Sequence, residues 1–276
     1  MDVSAPVRLP VRLIDKVWGS KDLQPWYENP AQKIGEVWFE APQLPLLVKF
    51  IFTSEPLSVQ VHPNDAFAAE HEKSAGKTEM WIVLRAAPDA RIGLGLRESV
   101  SPERLREAAL TGDIEELMHW VAVKAGDAFF VPAGTIHAIG AGLVMCEIQQ
   151  NSDVTYRLYD YGRPRELHLD KAVQVSRTTA CEIEPVTLPI VCEYFHTEAL
   201  NLASAIEYAP RPERFQILIV LEGSGTIGAS PFRQGEAWLI PAGTKPFELR
   251  PEHPAKLLQT WVPGCRAVNP QALADS

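Results

Sequence analysis

The stretch GDAFFVPAGTIH (residues 126–137) recurs in altered form as GEAWLIPAGTKP (residues 235–246). Each copy holds a short apolar run between a glycine and a Pro-Ala-Gly-Thr turn. Short apolar runs bounded by glycine and proline are typical of β-strands, so the repeat predicts two similar β modules. The first copy ends in His137, whereas the second has Pro246 there, so only the first module keeps a histidine that could bind a metal.

Further short apolar or alternating runs occur along the whole chain, between 23 prolines and 17 glycines. They include LLVKFIF (46–52), LSVQVHP (57–63), EMWIVL (79–84), LVMCEI (143–148), FQILIVL (215–221) and KLLQTWV (256–262). Many short strands at this spacing predict an all-β sandwich or barrel fold with little α-helix. We expect one domain over residues 1–177 and a second over residues 178–276, with a linker at 178–192.

One region has clear helical signals, residues 101–120. Ser101 before Pro102 is typical of an N-cap with proline at the first helical position. Asp113 followed by Glu116 predicts a capping box that opens a second short helix. Loose periodicity at 166–176 predicts a third helix. The helical pair would be a small insertion in the first module.

Charge and composition limit the partners of the chain. Its 276 residues carry a net charge of −9 and no basic run, which argues against nucleic acid. An acidic protein can still bind an anion through a local basic pocket. The N-terminus lacks an apolar signal segment and no stretch is long enough to span a bilayer, so we expect a cytoplasmic protein without a membrane partner. The four cysteines form no Cys-x-x-Cys pair and are expected to be free thiols.

Nitrogen and oxygen donors gather in the first half of the chain. Gln60 and His62 are two apart on an alternating strand, which puts both on one face. Glu79 begins the next predicted strand, which could lie beside the first, and His137 follows a rigid Pro-x-Gly turn. Such a set suits Zn²⁺, Mn²⁺, Co²⁺ or Fe²⁺. We predict one divalent metal held by His62, Glu79 and His137, with Gln60 as the fourth ligand.

The sequence around these residues resembles a known family. The second cupin motif is matched at Gly126, Pro132, Gly134 and His137. Longer runs look like the type I mannose-6-phosphate isomerases in their short bacterial form: LSVQVHPND (57–65), GKTEMWIVL (76–84) and VPAGTIHAIGAGLVMCEIQQNSDVTYRLYDYGR (131–163). The resemblance covers about residues 8–175 in motif, and the rest, to about 262, mainly in architecture.

The resemblance implies a bicupin fold of two jelly-roll barrels, with one zinc ion in the first, on Gln60, His62, Glu79 and His137. It also implies interconversion of mannose 6-phosphate and fructose 6-phosphate, which needs a proton shuttle and a phosphate anchor. Catalytic candidates are Arg157, Glu147, Lys77 and Asp153. Candidates for binding the sugar phosphate are Ser58, Lys49, Lys77 and Arg157. The sequence does not choose the base, and Arg157 could either bind phosphate or stabilise developing charge.

Three alternatives stay open. Only six residues separate IGEVWF (34–39) from LLVKF (46–50), where family members commonly carry a longer insertion, so another sugar phosphate could be the substrate. Two histidines and one carboxylate are also the pattern of non-haem iron oxygenases. A sugar-binding cupin without catalysis is the third alternative. The sequence does not give the oligomeric state.

Overall fold

A computed structural model describes residues 5–41 and 43–264. This part of the chain is mostly β-structure, as predicted, with few and short helices. The first half contains β1 (Val7–Arg8), β2 (Val11–Ser20), β3 (Ile34–Phe39), β4 (Leu46–Phe52), β5 (Val59–Val61), α1 (Asp65–Glu72), β6 (Glu79–Ala86), β7 (Arg91–Leu96), α2 (Pro102–Thr111), α3 (Ile114–Leu117), β8 (Met118–Ala122), β9 (Ala128–Val131), β10 (His137–Ile139), β11 (Leu143–Gln150), β12 (Tyr156–Tyr159) and α4 (Leu169–Val175).

Up to residue 264, the second half contains strands and no helix. They are β13 (Ile190–Val191), β14 (His196–Leu202), β15 (Ile206–Tyr208), β16 (Gln216–Glu222), β17 (Ser224–Ile227), β18 (Ser230–Arg233), β19 (Ala237–Ile240), β20 (Phe247–Pro251) and β21 (Ala255–Trp261). The strand β1 also belongs here, because Val7 pairs with Leu239 of β19.

The strands form four sheets. Sheet I has the order β2-β3-β4-β11-β6-β9 and sheet II the order β12-β5-β10-β7-β8. Sheet III has the order β1-β19-β16-β21-β14-β13 and sheet IV the order β15-β20-β17-β18. All strand pairs within these sheets are antiparallel, which is the arrangement that lets one face of a sheet pack against another sheet.

Side-chain alternation sets the stacking order of the sheets. In β6, Trp81 and Val83 pack with Ile92 of sheet II. The alternate residues Met80 and Ile82 pack in the cluster that includes residues of sheet III. Sheets III and IV share their own apolar cluster, and the helices α2 and α4 cover the outer face of sheet II. The layers therefore run helices, II, I, III, IV, and the space between sheets I and II is the interior of the first half.

The predicted internal repeat has a structural counterpart. In sheet I the order β4-β11-β6-β9 matches β14-β21-β16-β19 in sheet III. Gly126 and Gly235, which open the two copies, have φ of 96° and 84°. Their N–H groups donate to Val83 and Val220, on the neighbouring strand, at 2.8 Å and 2.9 Å. A residue with a side chain would be strained at this φ, which explains the glycine in both copies.

The helices agree with the prediction only in part. Ser101 caps α2 by accepting a hydrogen bond from the N–H of Arg104, and α4 lies inside the predicted range 166–176. Residues 118–120 belong to β8, so the predicted helical region is too long at its end. The predicted second short helix is present as α3, directly after Asp113, but the capping box is wrong, because the backbone of Asp113 is helical (φ −58°, ψ −14°) and its side chain accepts no capping hydrogen bond. The helix α1 has no counterpart among the predicted helices.

The segment predicted as a linker lies against the first half. Ala180 forms a bridge with Leu96, and Val186 forms one with Ala128. Cys146, Cys181 and Cys192 are free thiols, as expected, while Cys265 lies outside the described residues. Among the described helices, none has the length and apolar character needed to cross a membrane.

Candidate metal centre

Sheets I and II bring four of the predicted residues together between them. His137 begins β10 and lies directly opposite Gln60 of β5. His62 follows β5, so it shares a face with Gln60 two residues earlier. Glu79 begins β6 in the facing sheet and points inward like Trp81. The two histidines therefore come from one sheet and the carboxylate from the other.

The three side chains form a compact, buried group. The Nε2 atom of His62 lies 3.6 Å from Glu79 Oε2, and the Nε2 atom of His137 lies 3.4 Å from Glu79 Oε1. Each histidine ring is fixed by a hydrogen bond at its other nitrogen. The Nδ1–H of His62 donates to the carbonyl of Val154 at 2.9 Å, and the Nδ1–H of His137 donates to the carbonyl of Thr135 at 2.9 Å. Both Nε2 atoms are then unprotonated and carry the lone pair that a metal ligand needs.

Burial shifts the pKa of all three groups. It lowers the pKa of His62 well below its ordinary value, helped by the nearby charge of Lys77. Burial also lowers the pKa of His137 to about 4. It raises the pKa of Glu79, helped by the repulsion of Glu147 and opposed by Lys77. The imidazoles are therefore neutral, and the carboxylate is costly to ionise unless a cation lies beside it.

The donor set fits a divalent cation. One ligand atom from each of His62, Glu79 and His137 lies within 4.8 Å of the others. Three buried atoms of the group have no hydrogen-bond partner: His62 Nε2 and both carboxylate oxygens of Glu79. Buried polar atoms are normally satisfied, so several unsatisfied ones this close together indicate a binding site for a cation. Two imidazoles and a carboxylate match the preferences of zinc and similar metals.

Gln60 lies next to this group. Its Nε2 atom is 3.2 Å from His137 Nε2, and its Oε1 atom accepts a hydrogen bond from Ser58 Oγ at 3.2 Å. The amide nitrogen, not the oxygen, thus faces the histidine. Rotation of the amide by about half a turn would exchange the two atoms, which have nearly the same shape.

A second buried charge cluster lies beside the first. Glu147 Oε1 is 3.2 Å from the ammonium of Lys49, and Glu147 Oε2 accepts a hydrogen bond from Trp81 Nε1 at 3.0 Å. Lys49 also stacks on Trp38, at 4.8 Å from the ring centre. Lys77 instead lies 3.7 Å from Glu79 Oε2, beside the first cluster. The predicted residues Lys49 and Lys77 therefore have different carboxylate partners.

A cavity of about 210 Å³ opens beside both clusters. Five basic and three acidic side chains line it, an excess of two positive charges in a chain whose net charge is −9. They are Lys16, Lys49, Lys77, Arg157, Arg165, Glu36, Glu147 and Asp153, together with Ser58 and Gln60. Every predicted catalytic and substrate-binding residue is in this set. The cavity fits a small anion-bearing molecule better than a larger ligand, for which about 300 Å³ or more is usual.

Two arginines, Arg157 and Arg165, line this cavity. Arg157 Nη1 donates to the carbonyl of Glu166 at 2.7 Å, while its buried Nε has no partner. Burial and the charge of Arg165 both lower the pKa of Arg157. Arg165 is held by the buried Asp160, to which its Nε donates at 2.6 Å. Two guanidinium groups fixed close together, one with an unused donor, can bind an oxyanion in two-pronged fashion.

The predicted site residues do not include Arg165, Lys16 or Glu36. Arg163 and Arg165 follow each other closely in the sequence, and both bind Asp160. Only Arg165 lines the cavity. The sequence offered no signal that separates the two, because the turn after β12 decides which one points inward. Lys16 and Glu36 lie 3.4 Å apart on β2 and β3, far from any motif.

Comparison with known proteins gives the family. No family model matches the chain. Mannose-6-phosphate isomerase ManA of Bacillus subtilis is 33% identical to this chain, and the alignment covers 85% of this chain and 92% of that protein. The chain belongs to the mannose-6-phosphate isomerase family. A mannose-6-phosphate isomerase from Streptococcus mutans is 35% identical over 63% of this chain and 68% of that protein.

Solved structures of the family have the same fold. The crystal structure of the mannose 6-phosphate isomerase from Bacillus subtilis superposes with a TM-score of 0.82 at 28% identity, over 93% of this chain and 99% of that one. A zinc-bound mannose 6-phosphate isomerase superposes with a TM-score of 0.73 at 18% identity, over 94% and 99%. At that identity the second likeness concerns the fold alone.

Proposed function

We propose that this chain is a metal-dependent aldose–ketose isomerase that interconverts mannose 6-phosphate and fructose 6-phosphate. The observation that carries the proposal is the buried group of His62, Glu79 and His137, which adjoins a small cavity with an excess of positive charge. Membership of the mannose-6-phosphate isomerase family supports the same reaction.

We assign the metal, proposed to be zinc, to His62, Glu79 and His137, with the amide oxygen of Gln60 as fourth ligand. The tautomers and the unsatisfied atoms described above support this assignment. Bound there, the metal would polarise the sugar carbonyl or orient the sugar. The remaining chemistry falls to the side chains that line the cavity.

We assign the phosphate group of the substrate to Arg157 and Arg165. Their fixed guanidinium groups and the unused Nε of Arg157 support this choice. Lys49 is less suited to the phosphate, because it already neutralises Glu147. Ser58 has its hydroxyl on Gln60, and Lys77 adjoins Glu79, so we place both at the sugar end of the cavity rather than at the phosphate.

We assign proton transfer between the two reacting carbons to Glu147. The carboxylate is buried, lines the cavity and is held in one position by Lys49 and Trp81, which suits a base that must serve two adjacent carbons. Asp153 is the second candidate; it lines the same cavity but is exposed. Lys77 would stabilise the negative charge that develops on the sugar oxygens.

We further infer a bicupin architecture, with a metal-binding domain over 1–177 and a metal-free domain over 178–276. The matching strand orders of sheets I and III support this division. The strand β1 is an exception, since it pairs with β19. In the second half, Gln216 opens β16 as Glu79 opens β6, and Pro246 precedes β20 where His137 begins β10. Free thiols in all three described cysteines agree with a cytoplasmic location.

A coupled assay with mannose 6-phosphate tests the proposal, run before chelation, after chelation and after return of zinc. We expect fructose 6-phosphate from the zinc-loaded protein and none from the chelated protein. No fructose 6-phosphate with any divalent metal would refute the isomerase. A panel of other sugar phosphates then tests a different substrate, as the short segment between β3 and β4 allows. Turnover of none of them by a metal-loaded protein would favour a non-catalytic sugar-binding cupin.

A further inference from the structure

The segment that carries Lys77 and leads to Glu79 is fixed by its backbone. Three consecutive N–H groups, those of Gly76, Lys77 and Thr78, each donate a hydrogen bond to another part of the chain. Their acceptors are Asp65 Oδ1 at 2.8 Å, the Pro63 carbonyl at 3.0 Å and Gln150 Oε1 at 2.9 Å. Together these bonds leave the segment no freedom to rotate, and the position of Lys77 and Glu79 depends on them.

Asp65 connects two of these three bonds. Its Oδ1 atom accepts from the Gly76 N–H and also from Gln150 Nε2 at 2.8 Å, and the same Gln150 side chain holds Thr78. Gly76 packs so closely that an added Cβ would lie 2.6 Å from the backbone of Asn64. The first turn of α1 and the segment before β6 are therefore in direct contact, with Asp65 as the common partner.

The other carboxylate oxygen of Asp65 contacts the second half of the chain. Tyr194, between β13 and β14, donates its hydroxyl to Asp65 Oδ2 at 2.8 Å. The ring of Tyr194 packs against the apolar cluster between sheets I and III. The hydroxyl therefore comes from a side chain that is anchored in the interface of the two halves. It restrains Asp65 on the side away from Gly76.

The same network reaches the turn before the second metal-binding histidine. Thr78 Oγ1 accepts a hydrogen bond from the N–H of Ala133 at 3.2 Å, inside the Pro-Ala-Gly-Thr turn that precedes His137. A shift of the Lys77 segment would thus move the ligand segments of both sheets. Removal of residues that orient metal ligands without binding the metal commonly lowers metal affinity or activity by about 10- to 100-fold.

We propose that Asp65 and Tyr194 are positioning residues, through which the metal-free second half orients Lys77 and Glu79 in the first. The catalytic part of this inference rests on the proposed isomerase function. Its metal-binding part does not, because Glu79 belongs to the metal group whatever the substrate.

The test compares single side-chain changes in the full-length protein. Tyr194→Phe removes the hydroxyl, Asp65→Ala removes all three acceptor contacts, and Asp65→Asn keeps an oxygen acceptor for Gly76. Tyr156→Phe is the matched control, because Tyr156 donates to Glu72 at the other end of the same helix at 2.6 Å. Zinc affinity is measured by competition with a chelator, and kcat and KM by the coupled assay.

We expect Asp65→Ala to lower zinc affinity and kcat by about ten-fold, with KM for mannose 6-phosphate nearly unchanged because the arginines are untouched. Tyr194→Phe should act in the same direction more weakly, and Asp65→Asn should restore most of the loss. If Tyr194→Phe binds zinc and turns over mannose 6-phosphate like Tyr156→Phe, and Asp65→Ala does so too where it folds, the inference is overturned. A wild-type protein that makes no fructose 6-phosphate refutes the isomerase, while the zinc affinities still decide this inference.

Discussion

The ammonium of Lys49 and the carboxylate of Glu147 lie 3.2 Å apart, directly opposite each other on β4 and β11. Both side chains are almost fully buried, at 2% and 4% exposure. Burial alone would lower the pKa of Lys49, but the carboxylates of Glu147 and Glu36 raise it above its ordinary value. The pair is therefore ionic, and neither member can be removed without leaving a buried charge.

This relationship gives the first prediction. Glu147→Gln should reduce kcat by about 10²- to 10⁴-fold, the usual loss when a general base is removed. Asp153→Asn, at the exposed side of the same cavity, should reduce it much less. The measurement is kcat for both variants in the coupled assay, with zinc content checked. A larger loss in Asp153→Asn than in Glu147→Gln would move proton transfer to Asp153.

Much of the candidate metal centre could be predicted from the sequence, since the residues proposed as its ligands lie in short motifs. Gln60 and His62 share a strand face by alternation, and Pro132 and Gly134 define the turn before His137. The partner of Lys49 could not be predicted in this way. Glu147 lies almost a hundred residues further along the chain, and only the register between β4 and β11 makes them neighbours. Long-range strand register is set by packing on both faces, which no local pattern reports.

The fold could likewise be predicted in part. The Gly-to-Thr frame of the repeat predicted two β modules, and the strand orders in sheets I and III agree with it. The helix α1 was not predicted, because DAFAAEHE buries only Ala68 and has almost no amphipathic pattern. Its stability comes from Asn64, which caps it by accepting from the N–H of Phe67, and from tertiary contacts. The pairing of β1 with β19 has no sequence signal that we recognise.

A second prediction concerns the metal. Chelation should abolish isomerase activity and lower the melting temperature, since a ligand that binds only the folded state stabilises it by about 4 kcal/mol at a thousand times its Kd. His62→Ala should remove the stabilisation by zinc. His196→Ala is the matched control, because His196 also lies 3.3 Å from a glutamate, Glu198, but outside the site. Zinc-dependent melting curves are the measurement; a zinc response in His62→Ala equal to wild type would contradict the assignment.

A third prediction separates the role of Arg165, which is proposed to bind the phosphate, from that of Asp160, which holds Arg165. Arg165→Lys should raise KM for mannose 6-phosphate by about 10- to 100-fold, because a charge-assisted two-pronged contact contributes roughly 1.5–3 kcal/mol. Arg163→Lys is the control, since Arg163 binds the same Asp160 but does not line the cavity. The measurement is KM for both variants. Equal changes in KM would mean that Asp160 and its turn, rather than Arg165, determine phosphate binding.

A fourth prediction concerns acid stability. Burial opposes ionisation of Glu36, but Lys49 and Lys16 outweigh it and lower the pKa of Glu36 below the ordinary 4.5. A lowered folded pKa contributes stability that is complete above pH 4.5 and is lost as the pH falls through the folded pKa. Glu36→Gln should therefore flatten the fall in melting temperature below pH 4.5. Glu40→Gln, which breaks the exposed pair with Arg12, should leave the slope unchanged, and a flattened slope there would contradict the assignment.

The last prediction concerns the second half, where Gln216 occupies in β16 the position of Glu79 in β6. Tyr208 joins two glutamines there: its hydroxyl accepts from Gln216 Nε2 at 2.9 Å and donates to Gln259 Oε1 at 2.8 Å. Tyr208→Phe leaves the buried amide of Gln216 and the half-buried amide of Gln259 each short of a partner, which should cost about 1–3 kcal/mol in the free energy of unfolding. Because this network does not reach Asp65, kcat should stay at the wild-type value. Denaturant unfolding measures the change in stability, and the coupled assay measures kcat. A fall in kcat as large as that of Tyr194→Phe would mean that the second half acts on the site through its general stability.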